Sequence, residues 1–567
     1  MNGADLKQAI AELNNPLILE TSEISESEYG LKLQGGKRIW NISLVFPPLF
    51  PYRLPSARLQ DKDKIGMIPH VNQSGVICVE ESDSILLDYD RVSDIIDSFA
   101  VDTLKLLERA SLKIYQDELF DEIEGYFDFD KKVNSFYVAN GETEFTTLRI
   151  KKTGSGTSLQ HNPVLLCGRD NSLPNDFSNL SKSLNTFDQK IIHLALDKPV
   201  LPPINQGNIA YDYFDVLKNN LSIQGKSEFV RLSKSFKTGK SFFVLVSMPR
   251  ERGERTQFLL QFSSKKPLMY PLHNTNKDWS IMPYAITRHS EQYLLERGGA
   301  ETSLATKKVC IIGCGSVGSE ISAMLAKSGI GELVLVDHDS FDADNIYRHR
   351  LGGSSLDFQA NSKTGKVARY TKVSALALSL QSDIPYIKIK QKPAGFDGVT
   401  SDSDFLTSDV VIVAVGSPST NLYINRVLKS LNKTAAIFCW NEASGYGGHS
   451  VALDFDKACL ECIYTDEHGF TMSNGLSLVA SGQSISKNLT GCAGVFTPFS
   501  YLDSSQTAAI ATKQCIDMLL GEYFSKAISW KGDERHGLAV TERFNTMPLK
   551  EEVDLVHAEN CRVCHEQ

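Results

Sequence analysis

The chain has 567 residues, too many for one hydrophobic core, and at about 100–200 residues per domain it should hold about three. With 42% hydrophobic and 22% charged residues it is neither disordered nor fibrous, and a formal net charge of −9 argues against nucleic acid as its main ligand. No run of eighteen apolar residues occurs, and residues 1–20 lack a charged stretch followed by an apolar one, so a cytoplasmic protein with no membrane role is predicted.

Residues 1–130 open with a short helical pattern (Leu6, Ile10, Leu13) and continue with alternating stretches at Gly30–Leu33 and Ile39–Phe46, which read as strands. The segment Phe46–Pro55 contains four prolines, so it is extended and turning rather than helical. A loop with Cys78 follows, and then Val92, Ile95, Ile96, Phe99, Leu104 and Leu107 recur at helical spacing. The first domain is therefore α+β.

The stretch Pro69-His70-Val-Asn-Gln-Ser-Gly75-Val-Ile-Cys78, after that proline-rich segment, resembles the core of ubiquitin-conjugating enzymes over roughly residues 1–130. The resemblance makes Cys78 an acyl carrier on an exposed turn, loaded by thioester exchange and discharged to an amine. Those enzymes usually carry asparagine eight residues before the cysteine. Here that residue is His70, whose imidazole either donates to a developing oxyanion or is a turn residue bonded to backbone.

Residues 131–285 contain strand-like runs at Ser241–Met248 and Thr256–Phe262 between polar loops, and carry no catalytic constellation. They are predicted to form a β-containing linker domain.

From 286 to 567 the pattern becomes apolar strand, glycine turn, helix, strand, as at Val309–Ile312 and Leu333–Val336, which predicts a doubly wound, Rossmann-like α/β domain. Gly313, Gly315 and Gly318 form a G-x-G-x-x-G turn that can bring backbone N–H groups to a phosphate at a helix N-terminus. Asp337 ends the next strand, nineteen residues after Gly318, where a carboxylate can meet a ribose. To this point a dehydrogenase fits as well as any other nucleotide enzyme.

The run Asp337-His-Asp-Ser-Phe-Asp-Ala-Asp-Asn-Ile-Tyr-Arg348, followed by Lys363-Thr-Gly-Lys366, is more specific. It resembles the ThiF-type adenylation domain of ubiquitin-activating enzymes and bacterial sulfur-carrier enzymes. On that resemblance Asp337 binds the ribose of ATP, and Asn345, Arg348 and Lys366 orient its phosphates. Two family positions differ. A second arginine three residues after Arg288 is Glu291, and an aspartate after the strand Val410–Val415 is Gly416, which leaves Asp339 as a substitute holder of Mg2+. Without the resemblance, Arg348 and Lys366 read as a solvated surface pair.

Of eleven cysteines, Cys459/Cys462 and Cys561/Cys564 form two C-x-x-C pairs, suited to a tetrahedral, structural zinc that ties the C-terminus to the domain. Thr490-Gly-Cys492-Ala-Gly, before the helical run Ser505–Leu520, resembles the thioester segment of activating enzymes and makes Cys492 the nucleophile. A buried core thiol is the alternative for Cys492. Cys167, Cys310, Cys314, Cys439 and Cys515 lie in apolar runs and read as core.

The whole order resembles the fused ubiquitin-transfer enzyme of bacterial type II CBASS antiphage operons. That resemblance implies a relay from Cys492 to Cys78, a cargo entering through the C-terminus of a cGAS/DncV-like nucleotidyltransferase, a target protein or small-molecule amine, and a homodimer in which Arg288 acts across the interface. A sulfur-carrier adenylyltransferase, a non-catalytic scaffold and, least favoured, an NAD oxidoreductase remain open as other readings.

Overall fold

The structure, a computed structural model, describes residues 3–61, 68–72, 74–79, 85–112, 118–119, 122, 124, 132–151, 164–168, 186–201, 212–250, 254–271, 278–356, 358–360, 367–433, 435–489, 495–522, 524–534 and 537–565. The chain divides into two compact units, one running up to Tyr293 and one from Leu294 onward.

The first unit opens with α1 (Gly3–Ala11) and a five-stranded antiparallel meander: β1 (Ile18–Ser25), β2 (Glu28–Gln34), β3 (Ile39–Val45), β4 (Ser56–Leu59) and β5 (Val76–Ile77). The alternation read from the sequence is the alternation of burial: Leu31 and Leu33 of β2, with Trp40, Ile42 and Leu44 of β3, face one core. Helix α2 (Val92–Ala110) covers that face with Ile96, Phe99, Ala100, Leu104 and Leu107. Trp40 is fully buried, and its Nε1–H donates to Glu108 Oε1 at 2.5 Å, so the indole is packed and polar-satisfied at once.

The predicted linker region is more regular than its sequence suggests. Seven strands close a barrel: β6 (Lys132–Ser135), β7 (Glu144–Lys151), β8 (Val164–Cys167), β9 (Thr186–Ala195), β10 (Gly239–Met248), β11 (Thr256–Leu268) and β12 (Ser280–Arg288). Its strand order is β10-β11-β12-β6-β8-β7-β9, and parallel pairing of β9 with β10 closes the ring. Helices α3 (Asp212–Asn219) and α4 (Ile223–Ser233) pack Phe214, Leu217, Phe229 and Leu232 against Phe258, Phe262 and Trp279.

The second unit holds an eight-stranded sheet. Its strands are β13 (Lys308–Ile312), β14 (Glu332–Val336), β15 (Lys388–Lys392), β16 (Val410–Val413), β17 (Ala436–Asn441), β18 (Gly447–Leu453), β19 (Lys526–Lys531) and β20 (Lys550–Asp554). The order β15-β14-β13-β16-β17-β18-β19-β20 has five parallel strands and then three antiparallel ones. β13 and β16 are continuous apolar runs because α5 (Ser316–Lys327), α6 (Lys372–Asp383), α7 (Pro418–Ser430) and α8 (Tyr501–Leu519) cover the sheet. The chain winds outward from β13 through β14 to β15 and returns to β16 on the other side of β13, so a crevice opens at the carboxyl ends of β13 and β16. Among the described residues no helix is long and apolar enough to cross a membrane.

Trp40→Ala should lower stability of the first unit by about 3–5 kcal/mol, because it empties a packed site and leaves Glu108 without its indole donor. Chemical denaturation followed by far-UV circular dichroism measures this.

Candidate functional site

The glycine turn after β13 is built on close approach. Gly313 has φ +88°, and its N–H donates to Val336 O at 2.8 Å. Gly318, in the first turn of α5, lies so near β13 that a Cβ would stand 1.9 Å from Gly313 O. Gly315 and Gly416, by contrast, have nothing within 4 Å of such a Cβ, which leaves an open, side-chain-free cradle on both sides of the crevice. That cradle fits a phosphate chain approaching the N-terminus of α5.

Asp337, just beyond β14, accepts from Cys314 N–H through Oδ2 and from Asp339 N–H through Oδ1, both at 2.8 Å. Its carboxylate is thereby fixed beside the turn. Asn345 caps its own short turn, with Oδ1 accepting from Asp342 N–H at 3.1 Å, and Arg348 lies over the Phe499 ring at 5.8 Å. Lys366 and Cys492 lie outside the described residues.

The lysine that the structure brings to this loop is Lys372. Its Nζ is 2.6 Å from Asp339 Oδ2 with its side chain mostly buried, and its N–H donates to Asp339 O. The hydrogen bond to Lys372 holds the Asp339 carboxyl below the usual carboxylate range. Asp337, His338 and Asp339 have ligand atoms within 4.8 Å of one another, and Asp339 is also paired with the Lys372 ammonium. One sequence signal marks Lys372: a cation in the first turn of a helix opposes the helix dipole, so it needs a local reason.

His349 escaped the sequence reading altogether. It is buried, its Nε2–H donates to Cys314 O at 2.8 Å, and its Nδ1 accepts from Leu351 N–H at 3.1 Å. These two partners fix the neutral tautomer, and burial lowers its pKa to about 4. The imidazole ties the Asp337–Leu351 loop to the glycine turn.

The four paired cysteines meet. Sγ of Cys459 is 3.9 Å from Cys462 and 3.5 Å from Cys561, and Cys462 is 3.5 Å from Cys564. Tetrahedral zinc with bonds of about 2.3 Å needs sulfurs roughly 3.8 Å apart, so the donor set fits. The hydrogen bond with Cys462 pushes the Cys459 thiol up. Buried Glu461 receives Arg562 at 3.2 Å and Arg426 at 2.9 Å, which joins the two C-x-x-C segments a second time.

In the first unit Cys78 is exposed, whereas Cys167, Cys310, Cys314, Cys439 and Cys515 are buried as expected, with burial pushing the thiols of Cys310 and Cys439 up to about 12. The loop before Cys78 is a tight scaffold. Asn72 Oδ1 accepts from Ser74 and Val76 N–H at 3.0 and 2.9 Å, Gly75 has φ +85°, and Cys78 N–H donates to His70 O at 2.8 Å. His70 itself adopts φ +63°. Its ring nitrogens face Glu118 at 3.3 Å and Glu122 at 3.0 Å.

Arg288, expected to reach across a dimer interface, is buried within the first unit. Its guanidinium pairs with Glu124 and with Glu254, the latter at 2.6 Å. A buried guanidinium requires such carboxylates.

Residues 4–136 match the prokaryotic E2 family B, and residues 289–511 match the ThiF family. The chain is 25% identical over 252 residues to the ATP-dependent ubiquitin transferase-like protein Cap2 of Pseudomonas aeruginosa, covering 43% of this chain and 42% of that protein. It is 27% identical over 247 residues to Cap2 of Vibrio cholerae, covering 41% and 39%. The matched part thus spans about two fifths of these relatives. The crystal structure of Escherichia coli MccB aligns at 18% identity and a TM-score of 0.33, covering 48% of this chain and 67% of that one.

Zinc at the four sulfurs should appear as about one equivalent per chain by elemental mass spectrometry and fall below about a tenth of that in Cys561→Ser. His349 has a folded pKa below its unfolded value, so its stabilising effect is full above about pH 6.5 and is lost as pH falls toward about 4. His349→Gln should flatten that part of the acid-denaturation profile, read by melting temperature against pH.

Proposed function

With a prokaryotic E2 family B domain and a ThiF-family domain in one chain, we propose an ATP-dependent transferase that activates a partner protein's C-terminal carboxylate and relays it through two cysteines. The observation that carries this reading is Cys78: among the described cysteines it alone is exposed, and it stands on the scaffolded turn of the E2-like domain.

Bound ATP with Mg2+ supplies an electrophilic α-phosphorus and a pyrophosphate leaving group. The chain's own groups do the rest. The glycine cradle and the N-terminus of α5 receive phosphate oxygens, Asp337 holds the ribose, and Asn345, Arg348 and Lys372 offset charge as the carboxylate attacks. Lys366 remains a further candidate for that task. The Cys492 thiolate attacks the acyl carbon of the adenylate, AMP leaves, and a thioester forms. The Cys78 thiolate then displaces Cys492, which regains a proton, and an amine finally displaces Cys78 to give an amide. His70 shapes the Cys78 loop during these exchanges. Zinc on Cys459, Cys462, Cys561 and Cys564 supplies a fixed fold around the C-terminus.

The Cap2 relatives support a cargo presented by a protein C-terminus, and we assign it to a cGAS/DncV-like nucleotidyltransferase in CBASS antiphage defence, acting in the cytoplasm through a homodimer. The acceptor amine lies on a target protein or a small molecule.

ATP–pyrophosphate exchange in the presence of that partner tests the first step. Exchange should appear with the free C-terminus, vanish with an amidated one, and fall about 100-fold in Lys372→Ala. Exchange that ignores the partner's C-terminus would contradict this reading.

A further inference from the structure

The segment after α2 touches both halves of the first unit. Glu118, Leu119, Glu122 and Glu124 are helical. Glu118 and Glu122 bond to one group and Glu124 to another. Both carboxylates of the first pair meet His70. Glu122 Oε2 accepts the His70 backbone N–H at 2.7 Å, Glu122 Oε1 faces its Nδ1 at 3.0 Å, and Glu118 Oε2 faces its Nε2 at 3.3 Å. Glu118 Oε1 also receives Arg109, at the end of α2, at 2.6 Å. Glu124 accepts from Gln257 N–H at 2.5 Å and from both Nε and Nη2 of Arg288, while Arg288 also donates to Arg255 O at 2.7 Å.

We propose that Glu118, Glu122 and Glu124 form a strap that couples the barrel to the Cys78 loop, with Glu122 as its positioning residue. The proposal rests on Cys78 being the acyl carrier of the relay above. A left-handed φ of +63° is uncommon for a residue with a Cβ, and here Glu122 holds it by accepting the His70 N–H. The next peptide, following from that backbone turn, presents His70 O to Cys78 N–H at 2.8 Å and so ties the start of the loop to the cysteine. At the other end the buried ion pair with Arg288 fixes the strap to β12 and β11. Displacement at the Arg288 end would therefore reach the cysteine loop through the bonds of Glu124, Glu122 and Glu118.

The test uses the full-length chain with Glu122→Leu, Glu122→Gln and Glu124→Ala, each first shown to keep its melting transition. Amide hydrogen exchange at residues 70–78 and peptide-resolved iodoacetamide labelling of Cys78 are read without ATP or partner. Thioester loading of Cys78 is read separately. Glu122→Leu should raise exchange at His70 and Cys78, change the labelling rate severalfold and slow loading about tenfold. Glu122→Gln, which keeps the acceptor, should return near wild type. Glu124→Ala touches neither residue, leaves Arg288 paired with Glu254, and should still raise exchange at 70–78. Unchanged exchange and labelling in Glu122→Leu, or an effect of Glu124→Ala confined to the barrel, would overturn the strap. A wild-type chain that never loads Cys78 would instead sink the relay, leaving the exchange result to decide the strap alone.

Discussion

The contact of Gly318 with Gly313 O sets the nucleotide crevice. No side chain fits there, so α5 can press its first turn onto the end of β13 and aim its N–H groups at the space between β13 and β16. Everything else in the crevice is fastened to that turn. Asp337 accepts the Cys314 N–H, His349 donates to the Cys314 carbonyl, and Lys372 holds Asp339. A displaced α5 would uncouple all three, because each bond reaches the turn or the loop bonded to it.

The carrier loop follows a different principle. Around Cys78 the backbone is held by polar side chains as well as by the buried Val71 and Ile77. Asn72 replaces the missing ladder bonds, and the left-handed His70 is kept in place by carboxylates from outside its own sheet. Such a loop leaves its cysteine in solvent while restricting its path, which suits the proposed exchange with a thioester and then an amine. The four-cysteine cluster is the opposite case, with its sulfurs gathered largely out of solvent.

Much of this was legible in the sequence because the signals are local. The alternation in β2 and β3, the helical spacing from Val92 to Leu107, the glycine turn and the two C-x-x-C pairs each lie within a short window, and each appears in the structure where the spacing put it. The barrel closure was not legible, since it depends on β9 meeting β10 and β12 meeting β6 across long separations. Arg288 was read from its neighbours in sequence, yet its partners Glu124 and Glu254 come from distant segments. Lys366 was taken from the resemblance of Lys363–Lys366 to the family's motif, whereas Lys372 reaches Asp339 only through the fold, which brings the start of α6 beside the Asp337–Asp339 loop. His349 carried no signal beyond being a histidine beside Arg348; only the fold reveals that its ring bridges two backbone groups.

The relay is tested most directly by intact-protein mass spectrometry of the chain with Mg-ATP and the proposed nucleotidyltransferase partner, comparing wild type with Cys492→Ala and Cys78→Ala. The account expects thiol-sensitive adducts of one cargo mass in wild type, none in Cys492→Ala, and an adduct held on Cys492 alone in Cys78→Ala. Partner binding without any adduct, or loading of Cys78 in Cys492→Ala, would contradict it.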